Sequence, residues 1–140
     1  MNVYDFYERQ EVKADAETEE LSHLAIGAAI EVHAHLGPGL PEIYRKALSR
    51  ELTLRNIPHE CEFPVPIVYK GEVVGKGFVD ILVDRRLVIE IKVAEALTAV
   101  HRAQVLAYLQ ALKLQLALLL NYNVAIMRDG IKRVINTYTH

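Results

Sequence analysis

The sequence predicts a mixed α/β fold, a central mixed sheet flanked by helices, with elements in the order ααβββαββ. Three observations carry this expectation. Apolar residues recur at helical spacing from Glu17 to Leu36, from Pro41 to Arg55 and from Leu97 to Leu112. Between the second and third of these segments lie runs rich in β-branched and aromatic residues, punctuated by Lys70-Gly71-Glu72 and Asp84-Arg85-Arg86. The short, wholly apolar run Leu116 to Leu120 then reads as a strand buried on both faces. The chain of 140 residues suits one domain, and its 51% hydrophobic content is ample for a core. The expected organisation is an acidic lead-in over residues 1–16 and a single domain over 17–140.

The first helix is expected over Glu17 to Leu36, with Leu21, Leu24, Ala25, Ala28, Ala29 and Val32 as its apolar stripe. Gly37-Pro38-Gly39 forms the corner after it, and Pro41 suits a first helical position, which places Glu42 in the first turn of the next helix. That helix turns Tyr44, Ala47, Leu48 and Leu52 inward, and Asn56-Ile57-Pro58 ends it. Phe63 to Tyr69, broken by Pro64 and Pro66, reads as an edge strand, and Val73 to Val83 pairs with it. The strand bearing Glu90-Ile91-Lys92 completes a meander. After the third helix come a strand over Gln115 to Asn121, a turn at Arg128-Asp129-Gly130 and a last strand over Ile131 to Tyr138.

The segment Asp80 to Lys92 carries the chemistry. Its flanks alternate with a period of two, so Ile89, Ile91 and Val93 share one face and Glu90 and Lys92 the other. If Asp84, Arg85 and Arg86 form a three-residue loop, Val83 pairs with Leu87 and Asp80 falls opposite Glu90. Two adjacent carboxylates repel unless a cation lies between them, and oxygen ligands suit a hard divalent ion, magnesium first. Such an ion polarises a phosphoryl oxygen and acidifies water, while Lys92 could steady the attacking hydroxide. A surface hairpin with a solvated charged face would carry the same residues.

The pattern Asp80-x(9)-Glu90-x-Lys92 resembles the PD-(D/E)XK nuclease superfamily, with Val79 in place of the proline that names it. His101, Gln104 and Tyr108 share one helix face. The pair Gln104-x-x-x-Tyr108 resembles the Q-x-x-x-Y motif of RecB-like nucleases, in which that helix borders the metal site and the DNA backbone. Taken together, Ile26 to His33, Leu36-Gly37-Pro38-Gly39, Gly39-x-x-Glu42, Glu90-Ile91-Lys92 and Glu95-Ala96-Leu97-Thr98 are similar to the small GxxExxY protein family of the same superfamily, over a span from about Glu19 to the C-terminus. One departure is visible: Tyr44 follows Glu42 by two residues instead of three.

The resemblance implies a restriction-endonuclease-like αβββαβ core with an added N-terminal helix and C-terminal strand. It also implies Mg²⁺- or Mn²⁺-dependent hydrolysis of phosphodiester bonds in DNA, with RNA left open. Asp80, Glu90, the Ile91 carbonyl and Glu42 would hold the metal, Lys92 would assist the water, and Gln104 and Tyr108 would orient lysine, metal shell or phosphate. The competing class is a non-catalytic nucleic-acid- or protein-binding module that keeps the fold.

A net charge of −2 speaks mildly against a nucleic-acid partner, but residues 1–20 hold seven acids against two bases, which leaves the remaining 120 residues at +3. Arg45, Arg85, Arg86, His101 and Arg102 are the candidate phosphate contacts. The aromatic residues Tyr4, Phe6 and Tyr7 could anchor the acidic lead-in. The single cysteine, Cys61, rules out a four-cysteine iron–sulfur cluster and is expected to pack as a small apolar residue. His33 and His35 point apart on a helix and do not form a chelating pair. No apolar run is long enough for a membrane span and no basic-then-apolar leader is present, so a cytoplasmic location is expected, with a homodimer as the oligomer small nucleases often use.

Overall fold

The computed structural model describes residues 13–40 and 42–137. The aromatic anchors of the lead-in and Pro41 as a first helical residue lie outside the described residues, whereas the last strand, expected to reach Tyr138, ends at Ile135. Helix α1 (Ala16–Leu36) is capped by Asp15, whose side chain accepts from the Thr18 N–H, and ends at Gly37, whose N–H donates to the His33 carbonyl at φ +73°. Its buried line is Thr18, Ser22, Ala25, Ala29 and Val32, together with Ala28. Leu24, expected inward, is 41% exposed. Small side chains occupy the inward line, so the helix lies close to its neighbours and the stripe is rotated away from the bulkier leucines.

Helix α2 (Tyr44–Leu54) is shorter than expected and begins after Glu42. Glu42 has φ +62°, a left-handed conformation that cannot continue a helix, so it is not in the first turn. The reversal lets the Tyr44 hydroxyl reach back, donating to the Gly37 carbonyl (2.6 Å) and accepting from the Leu40 N–H (3.0 Å), while its ring stacks on Tyr122 at 4.1 Å.

Five strands follow, β1 (His59–Tyr69), β2 (Glu72–Val83), β3 (Leu87–Lys92), β4 (Leu116–Asn121) and β5 (Ile131–Ile135), with helix α3 (Ala99–Leu112) between β3 and β4 and a 3₁₀ turn (Met127–Gly130) before β5. The sheet order is β1-β2-β3-β4-β5; β3 and β4 are parallel, joined by the α3 crossover, and the other pairs are antiparallel. β1 starts four residues earlier than its apolar pattern suggests, because His59 to Cys61 lie on the sheet edge and owe their strand conformation to pairing with β2. Cys61 is accordingly exposed and not packed.

One sheet face, Ile81, Val83, Leu87, Ile89, Leu116, Leu118 and Leu120, packs beneath α1 and α2. The other, Leu82, Val88, Ala117, Leu119 and Val134, packs beneath Val105 and Leu109 of α3. β3 and β4 are thus covered on both sides, which explains their nearly continuous apolar sequence. Glu90 is the ionisable residue set into that covered region.

Candidate active site

The hairpin between β2 and β3 has the register that its three-residue loop dictates: Val83 pairs with Leu87, Leu82 with Val88 and Ile81 with Ile89. Beyond Ile81 and Ile89 the backbone ladder stops, and two carboxylates take the place of its bonds. The Asp80 N–H donates to Oε1 of Glu90 (3.0 Å), and the Ile91 N–H donates to Oδ2 of Asp80 (2.7 Å). Strand alternation is also interrupted here. Val79 packs in the α3-side cluster and Ile81, two residues on, in the opposite one. Across from Asp80, Glu62 of β1 takes φ +52°, which opens the edge pairing at the same point.

The electrostatics follow from that placement. Glu90 is 4% exposed, and burial, with the Asp80 charge adding to it, pushes its carboxyl up to about 7. Asp80 is also raised, chiefly by burial, against the opposing pull of the Ile91 N–H, Lys92 and Arg45. Lys92 is half-buried, and its charge draws both carboxyls down without pairing within 4 Å of either among the described residues.

Each carboxylate spends one oxygen on a backbone N–H, leaving Oδ1 of Asp80 and Oε2 of Glu90 without a hydrogen-bond donor among the described residues. In a strand, N–H and C=O of one residue point to the same side, so the Ile91 carbonyl faces Asp80 where the ladder has ended. Two free carboxylate oxygens and a carbonyl, on acids that burial raises, form a donor set that fits a hard divalent cation. Among the described residues no cluster of three or more acid, histidine or cysteine side chains surrounds this point. Glu42 does not close on the pair; it lines, with Asp80, a cavity of about 580 Å³ whose other walls are Tyr44, Arg45, Lys46, Ile91 and Val93.

Tyr108 lies over Gly77, three residues before Asp80; a Cβ at Gly77 would come within 2.7 Å of the ring. Gln104, exposed on the same helix, donates to the Tyr108 hydroxyl at 3.5 Å. His101 completes a capping box with Thr98 at the start of α3, its Nδ1 accepting from the Thr98 N–H and its own N–H donating to the Thr98 hydroxyl.

The arginines are placed less simply. Arg45 borders the cavity and pairs with Glu62 at 2.8 Å. Arg85 and Arg86 sit at the loop end of the hairpin, about 15 Å of strand from Glu90, and pair with Glu60 and Glu17. Arg102 donates to the Arg133 carbonyl. His33, inside α1, is bonded through Nε2 to the Val124 carbonyl, and His35 is exposed beside Glu31, so the two are separate.

A family model for the PD-(D/E)XK nuclease superfamily matches residues 19–134. The chain belongs to that superfamily. The αβββαβ core, with α1 in front and β5 behind, is therefore its restriction-endonuclease-like fold. Neither a curated protein nor a solved structure matches significantly. The matched span includes Asp80 on β2 and Glu90 and Lys92 on β3.

Sequence reasoning missed the supports around this motif. Glu62 gave no signal, since its proximity to Asp80 depends on long-range pairing. Asn121 was more legible, as a polar residue closing an apolar strand. Its side chain accepts from the Ala94 and Asn123 N–H groups and donates to the Ala94 carbonyl, fastening the chain just beyond Lys92. No helix among the described residues is long and apolar enough to cross a membrane.

Proposed function

We propose that this protein is a metal-dependent nuclease that hydrolyses phosphodiester bonds in DNA, with residues 17–140 as its single domain. The observation that supports the reading most is the reciprocal Asp80–Glu90 arrangement, in which each acid accepts the N–H of the other strand and both are raised by burial. Asp80, Glu90 and the Ile91 carbonyl would hold Mg²⁺ or Mn²⁺, and Glu42, on the same cavity as Asp80, would contribute through the ion's water shell. A bound divalent ion supplies Lewis-acid polarisation of the phosphoryl oxygen and neutralises charge on the scissile phosphate.

The chain's own residues do the rest. Lys92, held on the Glu90 side of β3, directs its ammonium at the attacking water and stabilises the negative charge that develops. Tyr108 and Gln104 flank this face and orient Lys92 or a substrate phosphate. Arg45 is positioned to exchange its Glu62 partner for a phosphate oxygen, with Arg85, Arg86, His101 and Arg102 as more distant backbone contacts.

The test is cleavage of labelled single- and double-stranded DNA with Mg²⁺ or Mn²⁺, comparing the wild type with Asp80→Asn and Lys92→Ala, each with a chelator control. Metal-dependent cleavage lost in both variants is the expected result. Activity that persists in the variants refutes the residue assignment. Inactivity of a folded wild type on DNA and RNA alike, with no metal binding at millimolar concentration, would leave a non-catalytic binding module.

A further inference from the structure

The β1–β2 pair continues well past the sheet: its ladder runs from His59↔Val83 to Tyr69↔Glu72, whereas β3 joins β2 only over Ile81–Val83. The outer part is a two-stranded ribbon. One face is used, since Val65 packs with Val105 and Leu109 of α3, and Tyr108 covers Gly77. The other face holds the cross-strand pairs Pro64↔Phe78, Pro66↔Lys76 and Val68↔Val73. None of the described residues covers it: Phe78 is 51% exposed, Val68 59% and Val73 64%. Such ribbons are at best marginally stable alone, so a bare apolar face on one calls for a partner.

We propose that this face is where two copies of the chain associate about a twofold axis. Self-complementarity argues for a second copy: the face carries both a projecting ring, Phe78, and a shallow apolar hollow lined by Pro64, Pro66, Val73, Gly75 and Lys76. A twofold axis seats the ring of each copy in the hollow of the other, as an isologous interface requires. Area agrees. The exposed parts of these side chains present on the order of 500 Å² per copy, so a pair buries roughly 1,000 Å², near the lower limit for a specific interface.

The strand edge is closed to such pairing. Pro64 and Pro66 remove N–H groups at alternate positions of β1, which blocks edge-to-edge extension and leaves the face. Charge also favours a protein over a nucleic acid, because residues 63–78 hold two lysines and one glutamate, too few bases to track a phosphate backbone. Phe78 lies two residues from Asp80, so the dimer sets two sites on either side of one interface. The association itself is independent of the nuclease reading.

The test is the molar mass of the full chain by light scattering and sedimentation over a hundredfold concentration range under reducing conditions, comparing wild type, Val73→Glu and Val68→Lys. The wild type should rise towards twice the chain mass. Both variants, folded by circular dichroism, should stay at the single-chain mass, their dimer dissociation constants raised at least tenfold. A wild type that remains a single chain throughout overturns the proposal, as does a variant that dimerises like the wild type. Wild type retained on DNA through this face without self-association would overturn it in favour of nucleic acid.

Discussion

Replacing Glu90 with glutamine should make the protein more stable and inactive at once. The native carboxyl sits at about 7 against an ordinary 4.5. That rise corresponds to about 3 kcal/mol of destabilisation once the group is ionised in both states. The sign is fixed by linkage. Because the folded value is the higher one, the native state binds the extra proton between the two values, so the Glu90 contribution to stability is most favourable below 4.5 and falls until the pH passes about 7. The glutamine side chain retains the oxygen that accepts the Asp80 N–H and carries no charge, so the variant's stability should not show this fall. At about pH 8 in chelator, urea denaturation should place Glu90→Gln up to about 3 kcal/mol above the wild type, or about 10 °C in Tm. Near pH 4 the difference should vanish. Adding Mg²⁺ at ten times its dissociation constant should return about 1.4 kcal/mol to the wild type and little to the variant. A variant no more stable than wild type at pH 8, or a gap that does not close with acid, would refute the argument that the buried charge is a burden. Wild-type cleavage by the variant would remove Glu90 from the site.

Three further outcomes test the framework around the site. Gly130→Ala should destabilise by about 3 kcal/mol or more, since a Cβ there overlaps the carbonyl oxygen of Asn121; thermal melting and soluble yield read the effect. Tyr122→Phe should be neutral or stabilising by up to about 1 kcal/mol, because the buried Tyr122 hydroxyl has no hydrogen-bond partner among the described residues and its ring stacking on Tyr44 survives; urea midpoints decide. Glu19→Gln should cost about 1 kcal/mol at neutral pH, as Arg133 at 2.8 Å holds Glu19 below its ordinary 4.5. That contribution is present above 4.5 and lost as pH falls through the lowered native value, so the two proteins should converge in acid denaturation.

Much of the fold could be read in advance because its strongest signals are local. The three-residue loop Asp84-Arg85-Arg86 sets the register that brings Asp80 to Glu90, and the apolar run Leu116 to Leu120 is the covered strand that it reads as. What escaped was decided by tertiary contact. Glu42 leaves the helix because Tyr44 bonds back to Gly37 and Leu40, a constraint that no helix-start preference contains. His59 to Cys61 become strand only by pairing, and Leu24 turns outward because the buried line of α1 runs through Thr18, Ser22, Ala25 and Ala29. The arginines show the limit of counting charges: Arg45, Arg85 and Arg86 are each engaged by a glutamate whose proximity depends on the folded chain.

The acid pair itself argues that this site exists for more than stability. At the end of the β2–β3 ladder, the structure needs two acceptors for the N–H groups of Asp80 and Ile91. Asparagine and glutamine side chains would accept the same bonds at the same positions with neither mutual repulsion nor the burial of charge. Instead, the chain places two carboxylates there, one of them nearly inaccessible and raised to about 7, beside a lysine that approaches without neutralising either. A sequence shaped by folding alone would have no use for that arrangement, and local conflicts of this kind mark sites where function opposes stability. A divalent cation held by the two carboxylates would relieve the conflict, as the proposed function requires.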